Sequence, residues 1–358
     1  MLPAEPVHRH FLRTQVTCPA VQPIPVIALT GYLGAGKTTL LNHVLRAPDA
    51  RIGVVINDFG ELNVDAGLVT GQVDEPASIA GGCICCLPDE GGLDVALTRL
   101  ADPRLRLDAI IVEASGLAEP VAIARIIRFS GVDGIRSGGV VDVLDAVTHF
   151  DTVDRDAAPP AGYGAATLVV VNKLDQVADA EATLRRVTER VRENNPHAQV
   201  VGATAGRIDP ALLFDVAADE QVGQLTFQEL LKAGERQEEP PHAHTHADSV
   251  TVLSEGCVDP GAVLDLLEEP PAGVYRMKGT IAVRFRGAVR RYVVNVVGAS
   301  VHVAPAKADD DANNLVAIGM HLDTDVVRAA VSSALATSTG TAAAPDIRRL
   351  QRYRRLSI

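Results

Sequence analysis

At 358 residues the chain exceeds the size of one hydrophobic core, so two domains are expected, and 47% hydrophobic content suffices to fill both. A net charge of −12 argues against a broad electrostatic footprint for nucleic acid or anionic lipid, while leaving room for a local basic patch. The start MLPAEPVHRHFLRTQ lacks the apolar core of a signal peptide, and no charge-free apolar stretch of about eighteen residues follows, so neither secretion nor membrane spanning is expected.

Residues 1–22 mix proline, histidine and arginine without a hydrophobic period and read as a flexible leader. Val26 to Thr30 is a short apolar run that stops at glycine, and Lys37 to Arg46 carries Leu40, Leu41, Val44 and Leu45 at helical spacing. The fold thus opens as strand, loop, helix. Further β-branched runs at 51–56, 108–112, 139–144, 168–171 and 199–201 are mostly separated by enough chain for crossover helices. Strands apolar at every position are buried on both faces. Over residues 23–234 this predicts an α/β fold of the P-loop NTPase kind, a doubly wound, mostly parallel sheet whose ligands gather beyond the carboxyl ends of the strands.

Residues 235–249 are polar and proline-containing, and mark a linker. Beyond it, strands near 250–253, 279–285, 289–297 and 315–319, with helices near 260–267 and 323–335, predict a smaller C-terminal α+β domain over 250–340. Residues 341–358, which include RRLQRYRRL, read as a basic tail.

Gly31 to Thr38 reads GYLGAGKT. Such a loop holds phosphates because glycines let successive backbone N–H groups point inward, the lysine adds charge at the β and γ groups, and the hydroxyl holds Mg²⁺. Gly31, Gly34, Ala35, Gly36, Lys37, Thr38 and Thr39 are the expected nucleotide-binding residues, with Lys37 and Thr38 also serving catalysis. The run Asp108 to Val112 ends at Glu113, an acid at a strand tip suited to Mg²⁺. Three residues on, Gly116 offers an N–H to a γ-phosphate. A third run ends in Asn172-Lys173-Leu174-Asp175. A carboxylate there accepts from both N1–H and the 2-amino group of guanine, a donor pair adenine lacks, so Asp175 argues for GTP over ATP. Thr204-Ala205-Gly206 either contacts the base through its backbone or simply makes a turn.

Of five cysteines, Cys83, Cys85 and Cys86 crowd a glycine-flanked loop, GGCICC. Neighbours this close suit a metal site or redox chemistry better than a disulfide framework, which points to a reducing, cytoplasmic compartment. Thiolates select Zn²⁺, Cu(I) and similar ions. His242, His244 and His246 place three imidazoles on alternate positions of the linker, enough for transient metal capture or merely a polar spacer.

With these residues assembled, the chain resembles the CobW family of P-loop GTPases, metallochaperone relatives of the urease and hydrogenase maturation GTPases. The likeness rests on GYLGAGKTTLLN at 31–42, NDFGELNVD at 57–65, GGCICC at 81–86, EASGLAEP at 113–120, NKLD at 172–175 and LVAIGMHLD at 315–323. It implies a CxCC metal site at Cys83, Cys85 and Cys86 and a first switch region at Asn57 to Glu61. Asp58 would lie near Mg²⁺ or the cargo metal, and Glu61 joins the metal-facing set. The family usually has Glu where Asp58 stands, one methylene longer. GTP and Mg²⁺ are the implied cofactors, Zn²⁺ or Co²⁺ the cargo, and a metal-requiring client protein the partner. Slow hydrolysis stimulated by metal, client or homodimerisation is the expected behaviour. A metal buffer or sensor with regulatory nucleotide binding, or a small-molecule phosphotransferase, are the competing functions.

Overall fold

The structure, a computed structural model, describes residues 23–46, 50–56, 77–78, 91–114, 120–214, 247–306 and 312–356. Strand β1 (Ile24–Gly31) runs through the glycine loop into helix α1 (Lys37–Val44). It is joined by β2 (Ile52–Ile56), β3 (Ala77–Ser78), β4 (Ala109–Glu113), β5 (Ile135–Asp145), β6 (Leu168–Asn172) and β7 (Gln199–Gly202). Among the described residues these form a seven-stranded sheet in the order β3-β2-β4-β1-β5-β6-β7, with every pairing parallel.

The continuous apolar runs have a direct cause. Val26 and Ala28 of β1 pack into a cluster with Leu93, Leu97, Ile123 and Ile127, which come from α2 (Gly91–Leu100) and α3 (Pro120–Arg128). Ile27 and Leu29 point the other way, to a cluster containing Leu40, Leu41 and Val44 of α1. Side chains alternate across a strand, so a strand covered on both faces must be apolar at every position. Farther along the sheet, Val169 and Val171 of β6 pack with Val187 and Val191 of α5 (Ala180–Asn194), a helix capped by Asp179, whose carboxylate accepts from Ala182 N–H at 2.8 Å. The short helix α4 (His149–Thr152) follows β5.

A second, antiparallel sheet has the order β11-β10-β9-β12-β8, built from β8 (Asp248–Glu255), β9 (Val274–Phe285), β10 (Ala288–Val297), β11 (Ser300–Pro305) and β12 (Ala312–Gly319). Helices α6 (Pro260–Glu268), α7 (Thr324–Ala334) and α8 (Ala344–Leu356) share its core, where Leu264, Val331 and Leu350 meet Met277, Val294 and Leu315. The two sheets touch through Tyr275, whose hydroxyl lies 3.2 Å from Thr167 Oγ1, and through Val297, which packs into the α1-side core.

Several boundaries differ from the pattern of the sequence. β5 begins at Ile135 and β9 at Val274, earlier than expected, because Arg136 and Arg276 interrupt the apolar pattern although both are buried. β11 was not anticipated. The expected basic tail is corrected by α8, whose Ile347 and Leu350 are buried in the second core with Tyr353 packed against it. Five arginines hid that stripe of three. Among the described residues no helix is long and apolar enough to cross a membrane.

Candidate nucleotide site

The glycine loop sits at the carboxyl end of β1, between β4 and β5. Gly31 has φ +140, and a Cβ there would lie 2.3 Å from the Val143 carbonyl oxygen. Gly36 has φ +102, and a Cβ there would lie 2.3 Å from Asn172 Nδ2. Both positions therefore demand glycine for space as well as for backbone angle. Gly34 is exposed with φ +78, Ala35 is buried, and Thr39 is exposed on the first turn of α1. Lys37 is buried, and its Nζ donates to the carbonyls of Gly31 at 3.0 Å and Tyr32 at 3.4 Å, arching back over the loop. A primary ammonium so held can exchange carbonyl oxygens for phosphate oxygens without leaving the site.

Thr38 Oγ1 donates to Glu113 Oε1 at 3.0 Å, so the structure brings together the hydroxyl and the strand-tip carboxylate that the sequence singled out separately. Glu113 is 2% exposed at the end of β4. A hydroxyl and a carboxylate at hydrogen-bond distance are hard oxygen donors, the set Mg²⁺ takes when phosphates and water supply the rest, so these residues fit that ion.

Asn172, at the end of β6, joins two loops: its Nδ2 donates to Ala35 O at 2.9 Å, and its Oδ1 accepts from Gly206 N–H at 2.9 Å. Thr204-Ala205-Gly206 is a tight turn, with Ala205 at φ 51 and Gly206 at φ 67, closed by Arg207 N–H donating to Thr204 O at 3.1 Å. The segment therefore makes a turn, a shape compatible with either role open for it. It lies against the start of α1, where a Cβ on Gly206 would come within 2.6 Å of Leu40 N. Lys173 adopts φ 63 and its Nζ reaches Asp145 Oδ2 at 2.7 Å, tying the ends of β5 and β6 together. Asp145 sits below its ordinary pKa: burial opposes ionisation, and the Lys173 hydrogen bond and charge overcome it. Asp175 is exposed in the following turn.

Beside Gly31 and Tyr32 lies a cavity of about 260 Å³ lined by Asp142, Asp145, His149 and Tyr163, among others. None of these four was singled out in the sequence, and the only signal was a carboxylate, Asp142, inside the apolar run VVDVLD. Asp142 accepts from Thr30 Oγ1 at 3.0 Å. Burial pushes its pKa up to about 6, against that hydrogen bond and the positive charge of Lys37. His149 is pulled down to about 4 by burial, against the carboxylates of Asp154 and Asp145. Its Nε2 meets the Tyr163 hydroxyl, which donates to Asp154 at 3.3 Å. Arg190 then holds Asp154 through Nε at 3.0 Å and Nη2 at 2.6 Å. A buried polar chain thus runs from the cavity to α5.

Asp58, Glu61, Cys83, Cys85, Cys86, Gly116, His242, His244 and His246 lie outside the described residues. Among the described residues no group of three or more His, Cys, Asp or Glu side chains could hold a metal ion.

A family model for the CobW/HypB/UreG nucleotide-binding domain matches residues 25–202, and one for the cobalamin synthesis protein cobW C-terminal domain matches residues 247–335. The chain is 28% identical over 348 residues to the zinc chaperone CobW of Sinorhizobium sp, covering 87% of this chain and 97% of that protein. It is 33% identical over 201 residues to the zinc chaperone YjiA of Escherichia coli (strain K12), covering 54% and 62% respectively. With the zinc-regulated GTPase metalloprotein activator 1 of Dictyostelium discoideum it shares 38% identity over 144 residues, covering 36% and 29%. Both sheets fall within the two matched segments in the same order, and the chain belongs to the CobW family of P-loop GTPases.

Proposed function

We propose that this protein is a GTP-binding and GTP-hydrolysing metallochaperone that carries Zn²⁺ or Co²⁺ at Cys83, Cys85 and Cys86 and releases it to a client metalloprotein according to nucleotide state. The observation that carries the nucleotide half is the convergence of Lys37, Thr38, Glu113 and Asn172 on one loop. The metal half is supported by the three clustered thiols and by relatives that bear the name zinc chaperone. In this reading Gly31 to Thr39 and Gly116 take the phosphates, and Asn172, Lys173 and Asp175 take the guanine. Thr38 and Glu113, with Asp58 and Glu61, face the Mg²⁺. Mg²⁺ bound there would neutralise charge on the β- and γ-phosphates.

Lys37 moves its ammonium from the Gly31 and Tyr32 carbonyls to the phosphates, and catalysis is positioning and charge neutralisation rather than covalent chemistry. The cysteine loop falls between the two switch segments in sequence, so ordering those segments around GTP alters the cargo site. Coupling of about 1–3 kcal/mol, roughly 5- to 150-fold in affinity, is the scale expected of such a device. His242, His244 and His246 feed metal weakly to the thiols, in a cytoplasmic chain that acts alone or as a homodimer. The test is metal content and affinity of the GTP-bound and GDP-bound chain beside a variant with the three cysteines as alanine. Tighter metal binding in one nucleotide state, lost in the variant, is expected. Equal affinities in both states would leave only the buffer or sensor function.

A further inference from the structure

Helix α8 lies beyond both family matches, which end at residues 202 and 335, and its charge is opposite to that of the chain. Residues 284–306 and 344–356 hold nine arginines against one acid, Asp346, in a protein of net charge −12. The fold brings the segments that carry them side by side. The start of β10, the end of β11 and the last turns of α8 frame a groove of about 580 Å³ lined by Val289, Arg290, Arg291, Tyr292, Pro305 and Arg354. Arg349 turns inward, to Asp265 at 2.8 Å and Glu268 at 2.9 Å, and the Tyr353 hydroxyl donates to Glu268 at 2.8 Å. These contacts pin α8 by its Ile347 and Leu350 face and leave Arg348, Arg352 and Arg354 exposed, as are Arg284, Arg286 and Arg290 around the β9–β10 turn.

We propose that this groove docks an acidic segment of a partner protein. Guanidinium groups match carboxylates with paired, planar hydrogen bonds, and arginine beside exposed apolar surface is a composition favoured at protein interfaces. Val289, 52% exposed, supplies that apolar surface. Single-stranded nucleic acid would need exposed rings for its bases. Here Tyr292 is buried, Tyr353 is held by Glu268, and Phe285 lies under the Arg286 guanidinium at 5.2 Å. An anionic membrane would need apolar side chains facing out from α8, and Ile347 and Leu350 face in. The chain's overall negative charge also repels an extended polyanion, whereas a short acidic peptide sits within the local field, which reaches about 8 Å at physiological salt.

The test uses the full chain and a fluorescein-labelled ten-residue oligoglutamate, read by anisotropy at low and at physiological salt, with a ten-nucleotide oligothymidylate and phosphatidylserine vesicles in parallel. Saturable peptide binding is expected, weakened on the order of tenfold by salt and by a similar factor in Arg290→Glu with Arg354→Glu. Both side chains are exposed, so this variant should keep its fold and its GTP affinity, which separates failure of the docking site from failure of the nucleotide reading. Asp309, Asp310 and Asp311 follow Ala306 in the chain outside the described residues and are changed to Asn in a further variant. That variant should bind the peptide at least as tightly as the native chain. No peptide binding, binding untouched by the arginine reversals, loss of binding in the Asn variant, or stronger binding to oligothymidylate or vesicles would each overturn the proposal.

Discussion

The Asn172 side-chain amide donates to the Ala35 carbonyl at 2.9 Å, so a residue from the sheet's sixth strand holds the shape of a loop that leaves its first. The same side chain accepts from Gly206, and Asn172 is only 2% exposed. Replacing it with Ala leaves a buried carbonyl and a buried N–H unsatisfied, a loss of about 1–3 kcal/mol each where no water enters. Asn172→Ala should therefore lower thermal stability and weaken GDP binding by at least about tenfold. Titration with a fluorescent guanine nucleotide checks this. Native affinity in the variant would mean that the loop keeps its shape without the cross-tie.

Thr38 and Glu113 make a separable prediction, because in the proposed function their contact would matter to nucleotide binding only through Mg²⁺. Thr38→Ala and Glu113→Gln should bind GDP without Mg²⁺ nearly as the native chain does, yet lose most of the tightening that Mg²⁺ brings. Hydrolysis should fall on the order of a hundredfold or more, the scale of a few kcal/mol of charge stabilisation. Nucleotide affinity measured with Mg²⁺ and with a chelator distinguishes the two. An unchanged Mg²⁺ dependence would remove this pair from the metal site.

Much of the fold is legible in the sequence because burial on both faces forces β1, β4 and β6 to be apolar throughout, and because Gly31 and Gly36 occupy backbone conformations that side chains avoid. What escaped notice shares a different cause. Arg136, Arg276 and Asp142 are buried in strands, and no local pattern announces distant partners such as Ala211, whose carbonyl accepts from Arg276, or Thr30, which donates to Asp142 from another strand 112 residues away. In α8 the arginines outnumber the inward residues, so only the i, i+3 spacing of Ile347, Leu350 and Tyr353 carried the signal. The role of Asn172 as a cross-tie was likewise invisible, because the motif records four adjacent letters and the bonds span loops 137 and 34 residues away.

Base choice should rest on Asp175. It is exposed in the turn after Lys173, whose backbone at φ 63 and bond to Asp145 at 2.7 Å fix where that turn begins. Asp175→Ala removes the proposed acceptor for both guanine donors while leaving the phosphate loop intact. GTP should then lose on the order of a hundredfold or more in affinity while ATP changes little, within the discrimination that an unmatched polar partner supports. Competition of GTP and ATP against a labelled nucleotide reads the ratio directly, and a ratio unchanged from the native chain would take the base contact away from Asp175.

Asp142 should give the proposed nucleotide site a pH dependence. Its pKa rises from 3.8 to about 6 because burial disfavours the carboxylate, even with Thr30 donating to it and Lys37 nearby. Between those two values the folded chain holds a proton that the unfolded chain has lost, so this group makes stability fall as pH rises from about 4 to about 6 and leaves a constant cost above, about 3 kcal/mol at most. His149 and His302 act in the opposite sense. Each is held near 4 by burial from 6.5, so protonation of the unfolded chain makes stability fall as pH drops through that interval. In the native chain the opposing slopes partly cancel. Asp142→Asn should raise stability at pH 8, and should expose a steeper acid-side loss between pH 6.5 and 4, measured by thermal unfolding across pH. The same charge lies beside Lys37, the residue proposed to meet the phosphates, so ionised Asp142 opposes nucleotide binding. Native GDP affinity should therefore decline as pH rises through 6, and the Asn variant should bind more tightly at pH 8 with that decline abolished. A variant that is less stable at pH 8 would show that the ionised carboxylate costs the fold nothing, and one that keeps the native pH dependence of GDP binding would show that Asp142 does not set it.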